Sequence, residues 1–406
     1  MSRQVFRGAA IFDGRDLRTG PALVVEDGVV AGLVAADACP DGENIDLDGG
    51  ILAPGFIDLQ INGGGGVMLN DAPNLAGLVR ICAANALLGT TGLLPTLITD
   101  RPDVTRAAVE AGVAAAAEDL PGFLGLHLEG PHLDPRRKGA HDPALIRPMT
   151  PEDLAFLCDA AARLPALLVT LAPANATVEQ IAALAEAGAI VSLGQAEARA
   201  AEARAAFVAG ARMVTHLFNA MSPLGHREPG LVGAALDSDV HAGLIADGVH
   251  VDPATMRIAL AAKRERDRIF LVTDAMAVAG TDLDEFNLNG RRIRRRDGPH
   301  PRRRHACRCG HRLPRIAARP GARRGAAAGG GARHGDADSG RTDRAGGANR
   351  LPRTWRARRS GASWAAVRAA RGLARRQSLA IVTVPGETPG AATGAFAASR
   401  VMDSRR

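Results

Sequence analysis

Polar side chains that could carry chemistry stand at the ends of successive short apolar runs. They are Asp58, Gln60, Asn62, His127, Glu129, His216, Asn219, Asp247, His250 and Asp274. A catalytic divalent ion needs about three protein ligands and an open position, and Glu129 and His216 offer a hard oxygen and an imidazole. Asp274 is a carboxylate that could take a proton from water and later give it to a leaving amine. The pattern therefore indicates metal-assisted hydrolysis.

Three further residues could hold a substrate. His141, in KGAHDP, could polarise or hold a carbonyl, while Arg227 in REPG and His250 in DGVHV suit an anionic group such as phosphate. Each residue alone also has a structural explanation, since an Asp after a strand is usually a helix N-cap. The glycine run 63–66 lacks the Lys of a P-loop. It is the joint placement at successive strand ends that favours a site.

The elements that would position these residues are eight apolar runs that alternate with helical stretches. The runs occupy 55–63, 91–99, 122–130, 166–173, 189–194, 212–220, 241–250 and 269–275. Strands alternating with helices predict a parallel sheet, and eight of them predict an α/β fold of the TIM-type (β/α)8 barrel class. In such a barrel the carboxyl ends of the strands form the active face. Residues 1–52 instead show short strand patterns with Gly- and Asp-rich turns.

Composition excludes several classes of protein. No apolar run reaches the roughly 18 residues of a membrane span, and the first residues lack the apolar segment of a signal peptide. Five cysteines among 406 residues are few and scattered, which argues against a disulfide-stapled secreted fold. We expect a cytoplasmic protein without a membrane partner.

The net charge of +7 is an average over two unlike parts. Residues 1–290 hold 21 Lys and Arg against 37 Asp and Glu, as in an ordinary acidic globular protein. Residues 291–406 hold 29 basic residues, all Arg, against 6 acidic ones. The positive charge therefore belongs to the tail alone.

Several long motifs make a family resemblance specific. The segments PGFIDLQINGGGG, GLHLEGPHLDPRRKGAHDP, THLFNAM, REPG, ADGVHVD and LVTDAMA resemble, in order and spacing, the N-acetylglucosamine-6-phosphate deacetylases of the amidohydrolase superfamily. The likeness runs from about residue 5 to 298. It implies a barrel over 53–298 and a split β-sandwich begun by 1–52. Gln60 and Asn62 stand where many amidohydrolases have an HxH motif. In this respect the chain resembles the members of the superfamily that bind a single metal ion.

The resemblance also implies roles for individual residues. Glu129 and His216 would bind one divalent ion, with Zn²⁺ as the first candidate and Fe, Co or Mn as alternatives. Asp274 would be the general base and then the acid, and His141 would contact the acetamido carbonyl. The sugar phosphate would be bound by Ala140, His141, Asn219, Ala220, Arg227, Asp247, Gly248, Val249 and His250, partly across a homodimer interface. The reaction would convert N-acetyl-D-glucosamine 6-phosphate to D-glucosamine 6-phosphate and acetate.

Gln195 departs from the family pattern. The family has a histidine here as the third metal ligand, whereas this chain reads SLGQAEA. A neutral amide oxygen is a weaker ligand than imidazole for Zn²⁺. We therefore predict weak or altered metal binding.

The tail 299–406 is the second departure. The tail is rich in Arg, Ala, Gly and Pro. It could be a disordered extension or a nucleic-acid-binding arm, or it could result from translation of a GC-rich gene in the wrong frame. A one-base shift with suitable synonymous codons lets 301–312 become LADGTLAGADID, 334–341 become MATLTPAA and 352–361 become LAPGARADLV. These resemble, in order, the family's loop after the eighth strand, its next helix end and its final strand. We expect a frameshift product, non-native or disordered, and no nucleic-acid partner.

Two other functions stay open at this point. The chain could be another amide hydrolase of the superfamily, in which case it would act on a non-phosphorylated amide and be indifferent to Arg227→Ala. Alternatively, it could be a catalytically impaired product whose Arg-rich tail binds nucleic acid, with salt-sensitive binding that truncation at residue 298 abolishes.

Overall fold

A small two-sheet sandwich forms the amino-terminal part of the chain. The computed structural model describes residues 2–288 and 291–294 in full and the backbone of 379–382. The first strands are β1 (Arg3–Arg7), β2 (Ala10–Phe12), β3 (Leu17–Arg18), β4 (Pro21–Glu26), β5 (Val29–Ala35), β6 (Glu43–Asp46) and β7 (Ile51–Pro54). One sheet has the order β5-β4-β1-β6, and the other contains β7-β2-β3. Ile11, Leu23, Val25 and Leu52 are buried together as the core of the sandwich.

A barrel of eight parallel strands follows, in which each strand lies beside the next parallel strand along the chain. The chain forms β8 (Phe56–Ile61), the antiparallel pair β9 (Gly63–Gly64) and β10 (Val67–Met68), and then β11 (Thr90–Ile98), β12 (Leu126–Glu129), β13 (Leu167–Leu171), β14 (Ile190–Leu193), β15 (Met213–Val214), β16 (His241–Leu244) and β17 (Ile269–Leu271). Each of the eight predicted apolar runs coincides with one of these parallel strands, and β11 begins one residue before its run. The prediction of a TIM-type barrel is confirmed.

Seven helices cover the outside of the described barrel. They are α1 (Leu75–Ala86), α2 (Pro102–Ala117), α3 (Pro151–Arg163), α4 (Val178–Glu186), α5 (Ala200–Val208), α6 (Gly230–Leu236) and α7 (Pro253–Ala262). Thr150 and Thr177 begin α3 and α4 with capping boxes, in which the Thr side chain accepts from the third helical residue and that residue's side chain accepts in return. Apolar residues of the helices pack on the outer faces of the strands.

The barrel interior is layered because alternate residues of a strand point to the same side. Leu94, Leu168 and Met213 form a buried apolar layer nearer the amino ends of their strands. Two residues further along lie Thr96, Thr170 and Thr215, so the next layer is polar.

That polar layer is a connected chain of side chains from five strands or strand ends. His127 lies with Nδ1 3.3 Å from Thr96 Oγ1 and Nε2 2.7 Å from Thr170 Oγ1. The hydroxyl of Thr215 is 2.7 Å from those of Thr170 and Ser192. Burial lowers the pKa of His127 to about 4, so the imidazole is neutral. The layer lies directly below the carboxyl ends of the strands, where Glu129 and His216 stand.

A buried carboxylate joins the last barrel strand to the first. Asp58 Oδ2 accepts hydrogen bonds from the backbone nitrogen and the hydroxyl of Thr273, at 3.0 and 2.6 Å, and its Oδ1 accepts from Gln60 N at 3.1 Å. The backbone nitrogen of Asp274 also donates to Gln60 O, at 3.0 Å. The barrel thus closes through side chain and backbone together.

The remaining described elements follow the barrel. β18 (Glu285–Leu288) and β19 (Arg291–Arg294) form an antiparallel hairpin, and β20 (Leu379–Val382) pairs antiparallel with β7 of the sandwich. β20 was not among the strands predicted from the sequence. The reading-frame interpretation of 299–406 otherwise lies outside the described residues. Among the helices of the described chain, none is long and apolar enough to cross a membrane.

Candidate active site

Three buried side chains meet at the carboxyl end of the barrel. The nitrogen Nε2 of Gln195 lies 2.7 Å from Glu129 Oε1 and 2.8 Å from His216 Nε2, and the latter two atoms are 3.1 Å apart. Each residue follows or ends a different parallel strand, β14, β12 or β15. The structure therefore brings together the three residues predicted to ligate a metal.

The first barrel strand, β8, and the residue that follows it orient both carboxylates of the site. Gln60 Nε2 donates to Glu129 Oε2 at 3.3 Å, and Asn62 Nδ2 donates to Asp274 Oδ1 at 2.6 Å. These residues are two apart on β8 and its end, so both point into the barrel. Gln60 and Asn62 thus serve as hydrogen-bond donors to the carboxylates of the site.

The two carboxylates have different acidities although both are buried. Burial, together with the negative charge of Glu129, raises the pKa of Asp274 to about 6. For Glu129, burial acts in the same direction, but the contact with His216 Nε2 and the nearby imidazoles of His141 and His216 outweigh it and hold the pKa below its usual range. Glu129 is therefore suited to remain an anion and Asp274 to exchange a proton near neutral pH.

His141 approaches the cluster with one defined nitrogen. Its Nδ1 accepts a hydrogen bond from the backbone nitrogen of Thr99 at 3.2 Å and lies 2.8 Å from Thr99 Oγ1. Burial lowers the pKa of His141 to about 4, so the ring is neutral and its proton is on Nε2. That nitrogen lies 3.9 Å from Glu129 Oε1, which directs an N–H donor into the site.

Four residues at the site have left-handed backbone conformations. Gln195 has φ 41°, His216 28°, Ala220 50° and Asp274 52°. For residues with a Cβ, such conformations cost about 1–3 kcal/mol each and persist where surrounding structure imposes them. The barrel thus holds these side chains in directions that relaxed strand ends would not give them.

The residues predicted to bind the sugar phosphate lie on loops that follow the barrel strands. Asn219 Nδ2 donates to the backbone oxygens of His216 and Leu217, each at 3.3 Å. Asp247 Oδ1 accepts from the backbone nitrogens of Val249 and His250 at 2.8 Å, which orders the 247–250 loop that includes Gly248. These contacts order the loops. The roles of these residues in substrate binding stay predictions.

Two of the predicted substrate residues differ in their surroundings. Ala140 packs against the buried cluster that includes Met276 and Val278, and its carbonyl accepts from Arg291. Arg227 is exposed, and within the described residues it makes no hydrogen bond or ion pair. Its role in phosphate binding across a dimer interface stays a prediction.

Three positioning contacts were missed by the sequence analysis. Thr99 holds His141, Thr273 is held by Asp58, and Arg291 donates to Ala140. Thr99 ends the second apolar run, so the strand-end rule could have identified it. The Asp58–Thr273 contact spans 215 residues, and no local signal announces it.

The donor set fits a divalent ion in one arrangement of Gln195. Glu129 Oε1 and His216 Nε2 lie 3.1 Å apart and can each present a lone pair to a cation, and Gln195 Oε1 is buried without a hydrogen-bond partner. Turning the amide would exchange that oxygen with the nitrogen that now faces the two ligands. Within the described residues, no group of three His, Cys, Asp or Glu side chains could hold a metal; at this site the third side chain is the Gln195 amide.

Comparisons with known proteins identify the family of this chain. The family model for the Amidohydrolase family matches residues 51–287. An N-acetylgalactosamine-6-phosphate deacetylase from Shewanella sp. (strain ANA-3) is 42% identical over 287 residues, covering 69% of this chain and 72% of that one. The N-acetylglucosamine-6-phosphate deacetylase of Haemophilus influenzae is 38% identical, covering 71% and 76%.

A solved structure shows the same fold. The crystal structure of N-acetylglucosamine-6-phosphate deacetylase from Pasteurella multocida superposes with a TM-score of 0.69 at 40% identity, covering 73% of this chain and 78% of that one. The barrel and its carboxyl-end site therefore define a hydrolase of amides, a class that generally depends on a divalent metal ion. This chain belongs to the amidohydrolase family, and the resemblance to its amino-sugar-phosphate deacetylases is confirmed.

Proposed function

We propose that this protein hydrolyses the N-acetyl group of N-acetyl-D-glucosamine 6-phosphate, giving D-glucosamine 6-phosphate and acetate. The observation that carries the proposal is the convergence of Asp274, His141 and the Glu129–His216 pair at one end of the barrel. The deacetylase names of relatives at 38–42% identity support the substrate class.

Asp274 is the proton carrier in this proposal. Water adds to the acetamido carbon, and Asp274 takes the proton that the water loses. Asp274 then gives a proton to the amide nitrogen as the C–N bond breaks, and acetate and the free amine leave. A carboxyl with a pKa of about 6 can act in both directions near neutral pH.

His141 stabilises the charge that develops on the carbonyl oxygen. Its Nε2–H is available because Nδ1 already accepts from Thr99. A fixed, buried donor of this kind is effective since it needs no reorganisation when the charge appears.

One divalent ion completes the site in this proposal, with Zn²⁺ as the first candidate. Glu129 and His216 would hold it together with the amide oxygen of Gln195. When bound, such an ion supplies positive charge that acidifies water and stabilises the developing oxyanion.

The sugar and its phosphate would occupy the surrounding loops. Arg227 and His250 supply charge-assisted hydrogen bonds of the kind that bind phosphate, and a second copy of the chain in a homodimer would bring Arg227 to the site. Low cysteine content fits a cytoplasmic location. These points are part of the proposal.

The proposal is tested by acetate release with N-acetyl-D-glucosamine 6-phosphate after addition of Zn²⁺ or Mn²⁺. We expect turnover that Asp274→Asn lowers by about a hundredfold or more, while the exposed control Asp237→Asn leaves it unchanged. Equal turnover of the non-phosphorylated amide would contradict the phosphate requirement. Absence of turnover by both the chain and a Gln195→His variant would overturn the proposed function.

A second candidate substrate is N-acetyl-D-galactosamine 6-phosphate. It is favoured by the 42% identity to the Shewanella enzyme that is named for this epimer. The ratio of kcat/KM for the two epimers decides between them, since both contain the same reacting amide.

A further inference from the structure

The amide of Gln195 occupies the point at which Glu129 and His216 converge. Its Nε2 is 2.7 Å from Glu129 Oε1 and 2.8 Å from His216 Nε2. All three side chains are at least 95% buried, so water does not compete for these contacts. The inference that follows rests on the proposed function in one respect, namely that this site takes a divalent cation.

The hydrogens of the amide can replace a cation between the two ligands. The Gln195 NH₂ group has two N–H bonds and no free lone pair. One N–H donates to the Glu129 carboxylate, and the other donates to His216 Nε2 when that nitrogen carries a lone pair. In this arrangement Glu129 Oε1 and His216 Nε2, 3.1 Å apart, are two acceptors held together by the amide.

This arrangement leaves an oxygen without a partner. Gln195 Oε1 is buried and accepts no hydrogen bond within the described residues. An unpaired buried acceptor costs about 1–3 kcal/mol. The same oxygen is the only atom of Gln195 that can ligate a cation, and turning the amide about its last torsion brings it to the position of Nε2.

We propose that Gln195 makes this a reversible, oxygen-rich cation site. Its preference for Zn²⁺ over Mn²⁺ is weaker than that of the same site with a histidine at position 195. Without a cation, the amide hydrogens hold Glu129 and His216 in place. With a cation, the amide turns and presents Oε1, so the protein supplies two oxygens and one nitrogen. A histidine at this position would supply one oxygen and two nitrogens.

The exchange of a nitrogen donor for an oxygen donor changes both affinity and preference. Imidazole suits Zn²⁺, whereas carboxylate and carbonyl oxygens suit Mn²⁺ and Mg²⁺. The cation must also displace the two amide hydrogen bonds before it binds. Zn²⁺ therefore loses more affinity from the substitution than Mn²⁺ does.

The test is cation binding in the absence of substrate. The full chain, stripped with a chelator, is titrated with Zn²⁺ and with Mn²⁺ in competition with a chromophoric chelator, beside Gln195→His. We expect Gln195→His to bind Zn²⁺ about ten- to hundredfold more tightly and Mn²⁺ much less so. The ratio of Zn²⁺ to Mn²⁺ affinity should therefore be about tenfold smaller in the chain as it is. Gln4→His, which adds the same imidazole on β1, is the matched control and should change neither affinity.

A second variant guards against misfolding of Gln195→His. Gln195→Glu keeps the shape and presents an oxygen without turning, so Mn²⁺ should raise its unfolding temperature more than that of the unchanged chain. An unchanged Zn²⁺ to Mn²⁺ ratio in Gln195→His, or no gain in Mn²⁺ stabilisation in Gln195→Glu, would overturn the inference. In that case deacetylation by the chain with Zn²⁺ would leave the proposed function standing. If neither the chain nor Gln195→His binds either cation, the inference and the metal requirement fail together.

Discussion

At the scale of single residues, three amide side chains orient the carboxylates of the site. Gln60, Asn62 and Gln195 each donate to a carboxylate of the site. Amide side chains hold a carboxylate in one orientation without adding charge. The chemistry of the site is therefore set by Glu129 and Asp274, and the amides determine how these two point.

Replacing Asn62 with Leu should lower turnover more than substrate affinity. The substitution removes the 2.6 Å hydrogen bond to Asp274 Oδ1 and lets that carboxylate turn away from the reacting atoms. We expect kcat to fall by about ten- to hundredfold with KM nearly unchanged. Asn44→Leu, on β6 of the sandwich, is the matched control. An increase in KM alone would show that Asn62 acts on substrate binding instead.

At the scale of elements, the barrel strands and their polar ends are predictable from the sequence. An apolar run that ends in polar residues is the pattern of a buried parallel strand, and all eight runs form one. The direction of the Gln195 amide is not predictable in this way, because it depends on atoms from three strands. The left-handed backbone at His216 and Asp274 also leaves no mark in a single sequence.

The closure of the barrel should depend strongly on Asp58. This carboxylate accepts three hydrogen bonds, two of them from backbone nitrogens. In Asp58→Ala those buried donors lose their partner, at about 1–3 kcal/mol each. We expect the free energy of unfolding in urea to fall by about 2–5 kcal/mol. Thr273→Val keeps the backbone donor and removes only the hydroxyl, so a loss as large as that of Asp58→Ala would contradict this account.

The same carboxylate predicts a pH dependence of stability. Burial raises the pKa of Asp58 to about 7, with a smaller contribution from the charge of Asp274. The folded chain therefore binds this proton more tightly than the unfolded chain does. Its contribution to stability is fully present below about pH 4 and is lost as pH rises through about 7. Urea unfolding between these pH values should show this slope, and Asp58→Asn should reduce it but not remove it, because Asp274, with a pKa of about 6, contributes a slope of the same sign.

The polar layer below the site predicts a second stability effect. Thr170→Val keeps the shape of the side chain but removes the hydroxyl that lies 2.7 Å from His127 Nε2 and from Thr215 Oγ1. We expect a loss of about 1–3 kcal/mol in the free energy of unfolding. The exposed Thr19→Val should change it by less than about 0.5 kcal/mol. Equal effects of the two substitutions would mean that the layer contributes only packing.

At the scale of the whole molecule, the chain joins an acidic barrel protein to an Arg-rich tail. Residues 1–290 contain 21 basic and 37 acidic residues, whereas residues 291–406 contain 29 basic and 6 acidic ones. The change in charge falls just after the barrel. β7 of the sandwich pairs with Leu379–Val382 on one side, so a segment from beyond the barrel contributes a strand to the small domain. This pairing covers backbone groups that an unpaired edge would expose to association.

Restoring the alternative reading frame near codon 298 should therefore give a more stable protein. The restored segments resemble the family's loop after the eighth strand, its next helix end and its final strand, which would cover the site and complete the sandwich. We expect the restored chain to unfold at a temperature higher by at least about 5 °C and to aggregate less than the chain as written. The DNA should be sequenced across codons 185–365 in parallel, which also checks the Gln195 codon. An unchanged unfolding temperature in the restored chain would contradict the frameshift interpretation and would mean that residues 299–406 support the fold as well as the family's own ending does.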